Sequence, residues 1–440
     1  ALSSLADPKA FEKISGQGRA ICCNRPFESY TLPLALLHEA FSIFRARCKA
    51  APSKRALDCL KDLAPVACKW YDSEIQRREQ IRSVFKEQLG LGLYEQKVTG
   101  TEYMTDGNLF NVMPAAIREC KKEEGAALNQ AILYYGKFLL NALEHRHRYY
   151  NFDTHFPCIL LVDMGTHLEF YGATWDGMRV RAEPLTGSLQ LATHEMETAA
   201  RNVMASTLDA FVVAVENIQV HYNSIEAKAK ASLGLSEHYS RINQARNHPF
   251  VTSYQDSGQE IKFTYDARLH DEKLIFSATV NEPNSGECIV KFTQRYSEEV
   301  HSYLASRGWA PRLRKCIRVG DDWIAVVMDR STYEMLYDLS FGLTPAEKEK
   351  VRQKVERIVQ GLHEKGYVHG DIRDTNLLVD RNSLSSDDVT VHLVDFDWAG
   401  RIGEVRYPYG VNCETMKRPA GVEYGTIITV EHDIEMVSYL

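Results

Sequence analysis

His369-Gly370-Asp371-Ile372-Arg373-Asp374-Thr375-Asn376, followed after one short hairpin by Val394-Asp395-Phe396-Asp397, is the stretch on which the fold turns. An Asp, an Asn five residues on and a second Asp beyond a hairpin suit one chemistry. The first Asp orients an attacking hydroxyl and takes its proton, while the Asn and the second Asp hold Mg²⁺ against phosphates. Asp371 is then the base, and Asn376 and Asp395 are the metal ligands. The flanks agree with this. A helical pattern over 344–365 stops at Lys365-Gly366, and Leu377-Leu378-Val379 and Val391-His392-Leu393-Val394 read as paired short strands.

Upstream, strand-like segments at 260–266, 273–280 and 287–293 precede a helix at 297–307, and further strands are expected at 314–318 and 323–328. Ile289-Val290-Lys291-Phe292 is an apolar strand bearing one Lys, placed to reach the phosphates of ATP. Glu298 and Glu299 open the next helix, and Glu299 is the expected partner of Lys291. In order and spacing, residues 250–440 resemble the protein-kinase-like superfamily, which implies ATP and Mg²⁺ as cofactors. Three departures stand out. Tyr265 to Asp271 contains no Gly where a phosphate-covering loop is expected, the Arg of the usual His-Arg-Asp is Gly370, and the Gly after Asp-Phe is Asp397. Without that Arg, activation by loop phosphorylation is not expected. Asp433, in a short helix near the last residue, is the expected support of the catalytic loop. The large helices of a full C-terminal lobe do not follow it, so a protein-substrate platform is expected to be either reduced or cut away.

A second constellation lies earlier. Thr105-Asp106-Gly107 falls in one strand-like segment (101–106) and Ile117-Arg118-Glu119-Cys120-Lys121 in the next (115–121). Two carboxylates on adjacent strands can hold Mg²⁺ or Mn²⁺ for phosphodiester cleavage, and a Lys two residues from the second points to the same side of its strand. Asp106, Glu119 and Lys121 fit this pattern. Gln130, on a helix expected over 126–145, steadies the site, and Glu74, on a helix expected from Pro65 to Leu89, completes it. Glu-x-Lys alone is weak, since Glu95-Gln96-Lys97 and Glu226-Ala227-Lys228 repeat it as solvated pairs. Surface charge on an α/β domain is the competing reading.

Taken together, several segments resemble the restriction-endonuclease-like PD-(D/E)XK domain of certain fungal proteins. They are Pro26-Phe27-Glu28-Ser29, Leu37-His38-Glu39, Thr105-Asp106-Gly107, Glu119-Cys120-Lys121 with Gly125 and Gln130, and Tyr134-Tyr135. In those proteins the domain is fused to a kinase-like one with His-Gly-Asp and Asp-Phe-Asp-Trp-Ala-Gly, here Asp395 to Gly400, with Arg418-Pro419 beyond it. The group includes crinkler-type effectors and is similar in layout to spore-killer proteins. The resemblance implies a toxin or effector acting on DNA in a nucleus, with the kinase half regulating or counteracting the toxicity.

Composition bounds these readings. With 440 residues the chain exceeds one ordinary core, and 44% hydrophobic with 25% charged residues is a globular balance. A net charge of −7 neither advertises nor excludes nucleic acid. Runs such as Ile159-Leu160-Leu161-Val162 fall short of the roughly 20 apolar residues that span a bilayer, so no membrane partner and an intracellular site are expected. No secretory signal is visible. Ten cysteines without zinc spacing read as free thiols.

The expected fold class is α/β plus α+β. Residues 1–190 form a restriction-endonuclease-like domain with a helical part over 1–95, residues 191–249 a helical linker, and residues 250–440 a short bilobal kinase-like domain. The leading reading is a bifunctional effector with Mg²⁺-dependent DNA endonuclease and ATP-dependent kinase activity. The alternatives are a kinase with a docking domain and a pseudokinase switch. The motifs leave open whether the acceptor is a protein substrate or the chain itself, and they leave open the oligomeric state.

Overall fold

Residues 31–98, 101–110, 113–121, 127–145, 154–175, 180–231, 248–281 and 286–440 are described by the computed structural model. Pro26 to Ser29 and Gly125, quoted above for the fungal resemblance, lie outside them. The chain divides into two compact units, Ala1–Val251 with Gly320–Asp322, and Thr252–Val319 with Trp323–Leu440.

The first unit opens with helices α1 (Leu34–Leu37), α2 (Glu39–Cys48), α3 (Lys54–Ala67) and α4 (Glu74–Leu89). Strands β1 (Tyr94–Lys97), β2 (Met104–Phe110) and β3 (Pro114–Lys121), helix α5 (Ala127–His145) and strands β4 (Cys158–Met164), β5 (His167–Trp175), β6 (Val180–Pro184) and β7 (Leu189–Gln190) follow. Helix α6 (Thr198–Ala231) closes the unit. The sheet runs β1-β2-β3-β4-β5-β6, with β7 on β5. Only β3 and β4 are parallel, because α5 carries the chain across between them. Every residue from Cys158 to Asp163 is buried, so both faces of the sheet are covered at β4.

Two expectations change here. The helix expected over 65–89 is two helices, broken at 68–73 where Ser73 caps α4 by accepting from the Gln76 amide. Trp70 (81% exposed) and Ile75 (60%) therefore face solvent and not the core. Glu95-Gln96-Lys97 lies on the edge strand β1 with Glu95 and Lys97 exposed, in keeping with a solvated pair. The stretch expected as a linker, 191–249, contains α6, which packs on α2, α3, β3 and β4 and buries Ala205, Leu208, Phe211, Val215 and Ile218. It is core, because its apolar positions recur on one face. Thr198–Lys228 is also long and apolar enough by composition to cross a bilayer, and 61% of its most apolar window is buried within the fold, as a core helix requires.

In the second unit, strands β8 (Ser253–Asp256), β9 (Gln259–Arg268), β10 (Ile275–Val280) and β11 (Glu287–Thr293), helix α7 (Glu298–Ser306), and strands β12 (Leu313–Val319) and β13 (Trp323–Asp329) form the first lobe. Its antiparallel sheet has the order β12-β13-β11-β10-β9-β8. Strand β14 (Glu334–Met335) and helix α8 (Leu336–Leu339) lead to helix α9 (Pro345–Glu364). A Thr344–Glu347 capping box and Pro345 start that helix, and Gly366 follows its end in the left-handed region. Strands β15 (Tyr367–Val368), β16 (Leu377–Val379), β17 (Val391–Leu393) and β18 (Gly400–Arg401) and helix α10 (Val430–Val437) complete the second lobe. Val351, Val355, Ile358 and Leu362 of α9 pack with Leu377, Val391, Leu393 and Phe396, which fixes the hairpin carrying the motifs.

Candidate active sites

The catalytic loop of the second unit hangs from α10. Asp433, fully buried, accepts from the His369 amide (2.8 Å) and the Gly370 amide (2.8 Å), and its Oδ2 lies 3.1 Å from His363 Nε2. This is the support expected from sequence. Asn376 Nδ2 donates to Asp371 Oδ2 (2.8 Å) and to the Asp371 carbonyl (2.8 Å), so the two motif residues form one buried unit. Strands β16 and β17 pair with Leu377 opposite Leu393 and Val379 opposite Val391, which brings Asp395 beside that unit. Asp395 has φ +71, a conformation side chains rarely adopt outside constrained sites.

Lys291 Nζ donates to Asp395 Oδ1 (2.5 Å) and to Asp397 Oδ1 (2.6 Å). Burial works to lower the Lys291 ammonium, and the two carboxylates outweigh it and hold it above its ordinary value. Burial likewise works against the Asp395 charge, but Lys291 and Lys273 drive that carboxyl well below its usual range. Asp397 goes the other way, raised by burial and, against Lys291, by the neighbouring Asp395 charge. Glu299 does not meet Lys291. It accepts from Tyr367 Oη (2.6 Å) and from Arg401 Nη2 (2.5 Å), at a half-exposed position. The expected pairing is thus replaced by Asp397, further held by Thr293 Oγ1 at 3.1 Å.

Phe396 joins the lobes. Its ring stacks on His301 of α7 (centroids 4.7 Å, 25° between planes) and meets His369 edge-on at 5.5 Å. Burial lowers His301 to about 4. Two arginines escaped sequence reasoning. Arg418 Nη1 donates to Asp371 Oδ1 (2.7 Å), and Arg373 Nε lies 3.2 Å from Asp371 Oδ2 as an ion pair without hydrogen-bond geometry. Arg373 could have been read from its place two residues after Asp371, whereas Arg418 stood only in the fungal resemblance, with no role attached. Mg²⁺ asks for one or two carboxylates plus substrate phosphates rather than an all-protein cage. Asp395 and the Asn376 carboxamide fit that demand. Among the described residues, no group of three His, Cys, Asp or Glu side chains is placed to hold a metal alone.

In the first unit, β2 and β3 place the expected residues together. Lys121 Nζ is 3.0 Å from Glu119 Oε1, 3.4 Å from Glu74 Oε1 and 3.8 Å from Asp106 Oδ2. Gly107 is needed beside Asp106, because a Cβ there would sit 2.8 Å from the Leu93 carbonyl. Asp106 Oδ2 accepts from the Cys120 amide (2.9 Å) and Oδ1 from Arg78 Nη1 (2.5 Å), a partner that sequence reasoning missed. Glu119 is pushed up to about 8 by burial and by the Asp106 charge, against Lys121. Among the described residues its Oε2 is buried without a hydrogen-bond partner, as is Oε1 of Gln130 on α5. A carboxylate with one unmatched buried oxygen fits a cation that brings its own water and phosphate ligands. Behind the cluster, Arg77 and Arg118 clamp the fully buried Asp163, each at 2.5 Å.

No family model matches this chain. Serine/threonine-protein kinase 1 of African swine fever virus is 35% identical to it over 69 residues in a Pretoriuskop tick isolate, 16% of this chain and 22% of the relative. In a Malawi tick isolate the identity is 34% over 65 residues, 15% of this chain and 20% of the relative. The chain has a kinase-like part. It spans about a fifth of the length of the curated relatives it matches. Two solved structures are more loosely similar. They are the PK-1 kinase of Cydia pomonella granulovirus (TM-score 0.29, 16% identity, 32% of this chain and 53% of that one) and vaccinia related kinase 3 (TM-score 0.31, 15% identity, 48% and 69%).

Proposed function

We propose that the second unit transfers the γ-phosphoryl group of ATP to a hydroxyl acceptor. The observation that carries this is the meeting of buried Lys291, Asp371 and Asn376 with half-buried Asp395, the Lys291–Asp395 and Asn376–Asp371 pairs being joined through the Val394 amide on the Asn376 carbonyl. The acceptor oxygen forms its bond to phosphorus, the bond from phosphorus to the ADP oxygen breaks, and the hydroxyl proton passes to the Asp371 carboxylate. Mg²⁺, held by Asp395 and Asn376, supplies neutralisation of the phosphate charge when bound. Lys291, fixed by Asp397, is positioned for the inner phosphates. The name of the viral relatives favours Ser or Thr hydroxyls, on another protein or on this chain. The test is transfer of labelled γ-phosphate from ATP to casein and to the chain itself, with Mg²⁺ or Mn²⁺, beside Asp371→Asn. Label that appears with wild type and vanishes in the variant is expected, and equal labelling by both would overturn the reading.

A second reading concerns the first unit. The convergence of Glu74, Asp106, Glu119 and Lys121, with Glu119 Oε2 unmatched, favours metal-dependent cleavage of DNA. Lys121 would orient water and stabilise charge on the scissile phosphate. With the fungal resemblance this gives a bifunctional nuclear effector whose kinase half restrains the nuclease. Supercoiled plasmid with Mg²⁺ or Mn²⁺ tests it. Nicking that EDTA and Lys121→Ala both abolish supports cleavage, while intact plasmid with folded wild type leaves the first unit a docking module.

A further inference from the structure

The loop between β9 and β10 stands where a glycine-rich phosphate cover was expected, and it is built quite differently. Arg268 Nε donates to the carbonyls of His270 (3.0 Å) and Lys273 (3.3 Å), and its Nη2 donates to the carbonyl of Asp271 (2.9 Å). His270 Nδ1 accepts from the amides of Glu272 (3.0 Å) and Lys273 (3.2 Å). Side chains therefore brace the turn that glycines would otherwise leave open. Two of its amides are already engaged and cannot cradle a phosphate.

The same bracing aims Lys273 inward. Its Nζ donates to Asp395 Oδ2 at 2.9 Å, opposite the oxygen that Lys291 holds. The two lysines are not equivalent. Lys291 is 8% exposed and tied to two carboxylates, whereas Lys273 is 39% exposed and, among the described residues, has one ion pair, to Asp395. An ammonium on a flexible stem, held once and lying at the rim, can exchange a carboxylate for a phosphate oxygen without disturbing the fold. We propose that Lys273 is the phosphate-covering group of this site, binding the outer phosphates of a nucleoside triphosphate in place of backbone amides. This rests on the kinase reading of Asp395.

The test is titration of the full chain with ATP, ADP and adenosine in Mg²⁺, for wild type, Lys273→Ala, Lys273→Arg and Lys291→Ala, with thermal unfolding as the folding control. Loss of one charge-assisted contact predicts roughly tenfold weaker ATP binding in Lys273→Ala. The loss should be smaller for ADP and absent for adenosine, and Lys273→Arg should retain most of the affinity. Wild-type ATP affinity in folded Lys273→Ala, with Lys291→Ala impaired, would overturn this assignment and leave the kinase reading intact. Wild type that binds no ATP would overturn both.

Discussion

Arg418 Nη1 lies 2.7 Å from Asp371 Oδ1, and the two side chains are only 6% and 7% exposed. Asn376 and Arg373 sit at the other carboxylate oxygen. Arg418 also lies over the Trp398 ring at 4.9 Å, so its place is fixed by packing as well as by charge. Removing Arg418 strands the buried Asp371 charge, apart from Arg373 and Asn376 at its other oxygen, at a cost on the order of 3 kcal/mol.

Arg418→Met should therefore lower the unfolding midpoint of the second unit by roughly 6–12 °C. Calorimetry of the full chain reads this directly. The double variant with Asp371→Asn should regain part of the loss, because the stranded charge is then gone. An unchanged midpoint in Arg418→Met would mean that the pair behaves as a solvated surface contact.

Lys291 offers a sharper comparison. Its carboxylate partners are Asp395 and Asp397, while Glu299 is committed to Tyr367 and Arg401. Asp397→Asn should cut labelled-phosphate transfer by about tenfold or more, the rate equivalent of roughly 1.4 kcal/mol. Glu299→Gln should leave it within about twofold, since an exposed pair contributes little. The reverse pattern would show that the helix glutamate, and not Asp397, positions Lys291 during turnover.

His301 gives the second unit an acid limit. Burial holds its imidazole at about 4 against an ordinary value of 6.5, so the folded state keeps it neutral where the unfolded chain would protonate it. The stabilising difference is complete above pH 6.5 and is lost as pH falls from 6.5 towards 4. The slope approaches about 1.4 kcal/mol per pH unit inside that window. Unfolding midpoints of the second unit measured from pH 7 to 4 should fall more steeply for wild type than for His301→Phe, which keeps a ring against Phe396. Parallel curves would assign the acid loss to other groups.

Much of this architecture was legible because its signals are local. The apolar strand around Lys291, the capped helix over 345–364 and the paired segments 377–379 and 391–393 all carry their own period or cap. Asp106, Glu119 and Lys121 could be grouped because alternation along one strand and its neighbour fixes their side. What escaped depends on contacts between distant parts of the chain. Arg418 is 47 residues from Asp371, and no period links them. Glu299 was assigned to Lys291 by order alone, but the face of α7 turned to the core is that of Val300, His301 and Leu304. Arg77, Arg118 and Asp163 carry no local signal, because no period reveals that three ions bury one another. Helix α6 was taken for a linker since a long Ala-rich stretch does not say what it packs against.

Gly370 shows why this catalytic loop lacks the usual arginine. Its φ is +81, and a Cβ there would lie 2.8 Å from Ile428 Cδ1. Ile428 is fully buried with Val368, Tyr407 and Val422, so it has little room to yield. The Gly370 amide is also fixed on Asp433 Oδ1, which holds the backbone in this conformation. Two separable costs follow for Gly370→Ala. The left-handed backbone contributes about 1–2 kcal/mol, and the contact with Ile428 adds to it. Chemical denaturation of Gly370→Ala should show both. Adding Ile428→Val, which removes the Cδ1 methyl but keeps Cγ2 at 3.1 Å, should relieve part of the second cost and leave the first. Gly370→Arg, the change that would restore the familiar motif, should be the least stable of the set. A Gly370→Ala variant as stable as wild type would mean that the loop can leave the left-handed region without releasing Asp433, and the steric account of the missing arginine would fail.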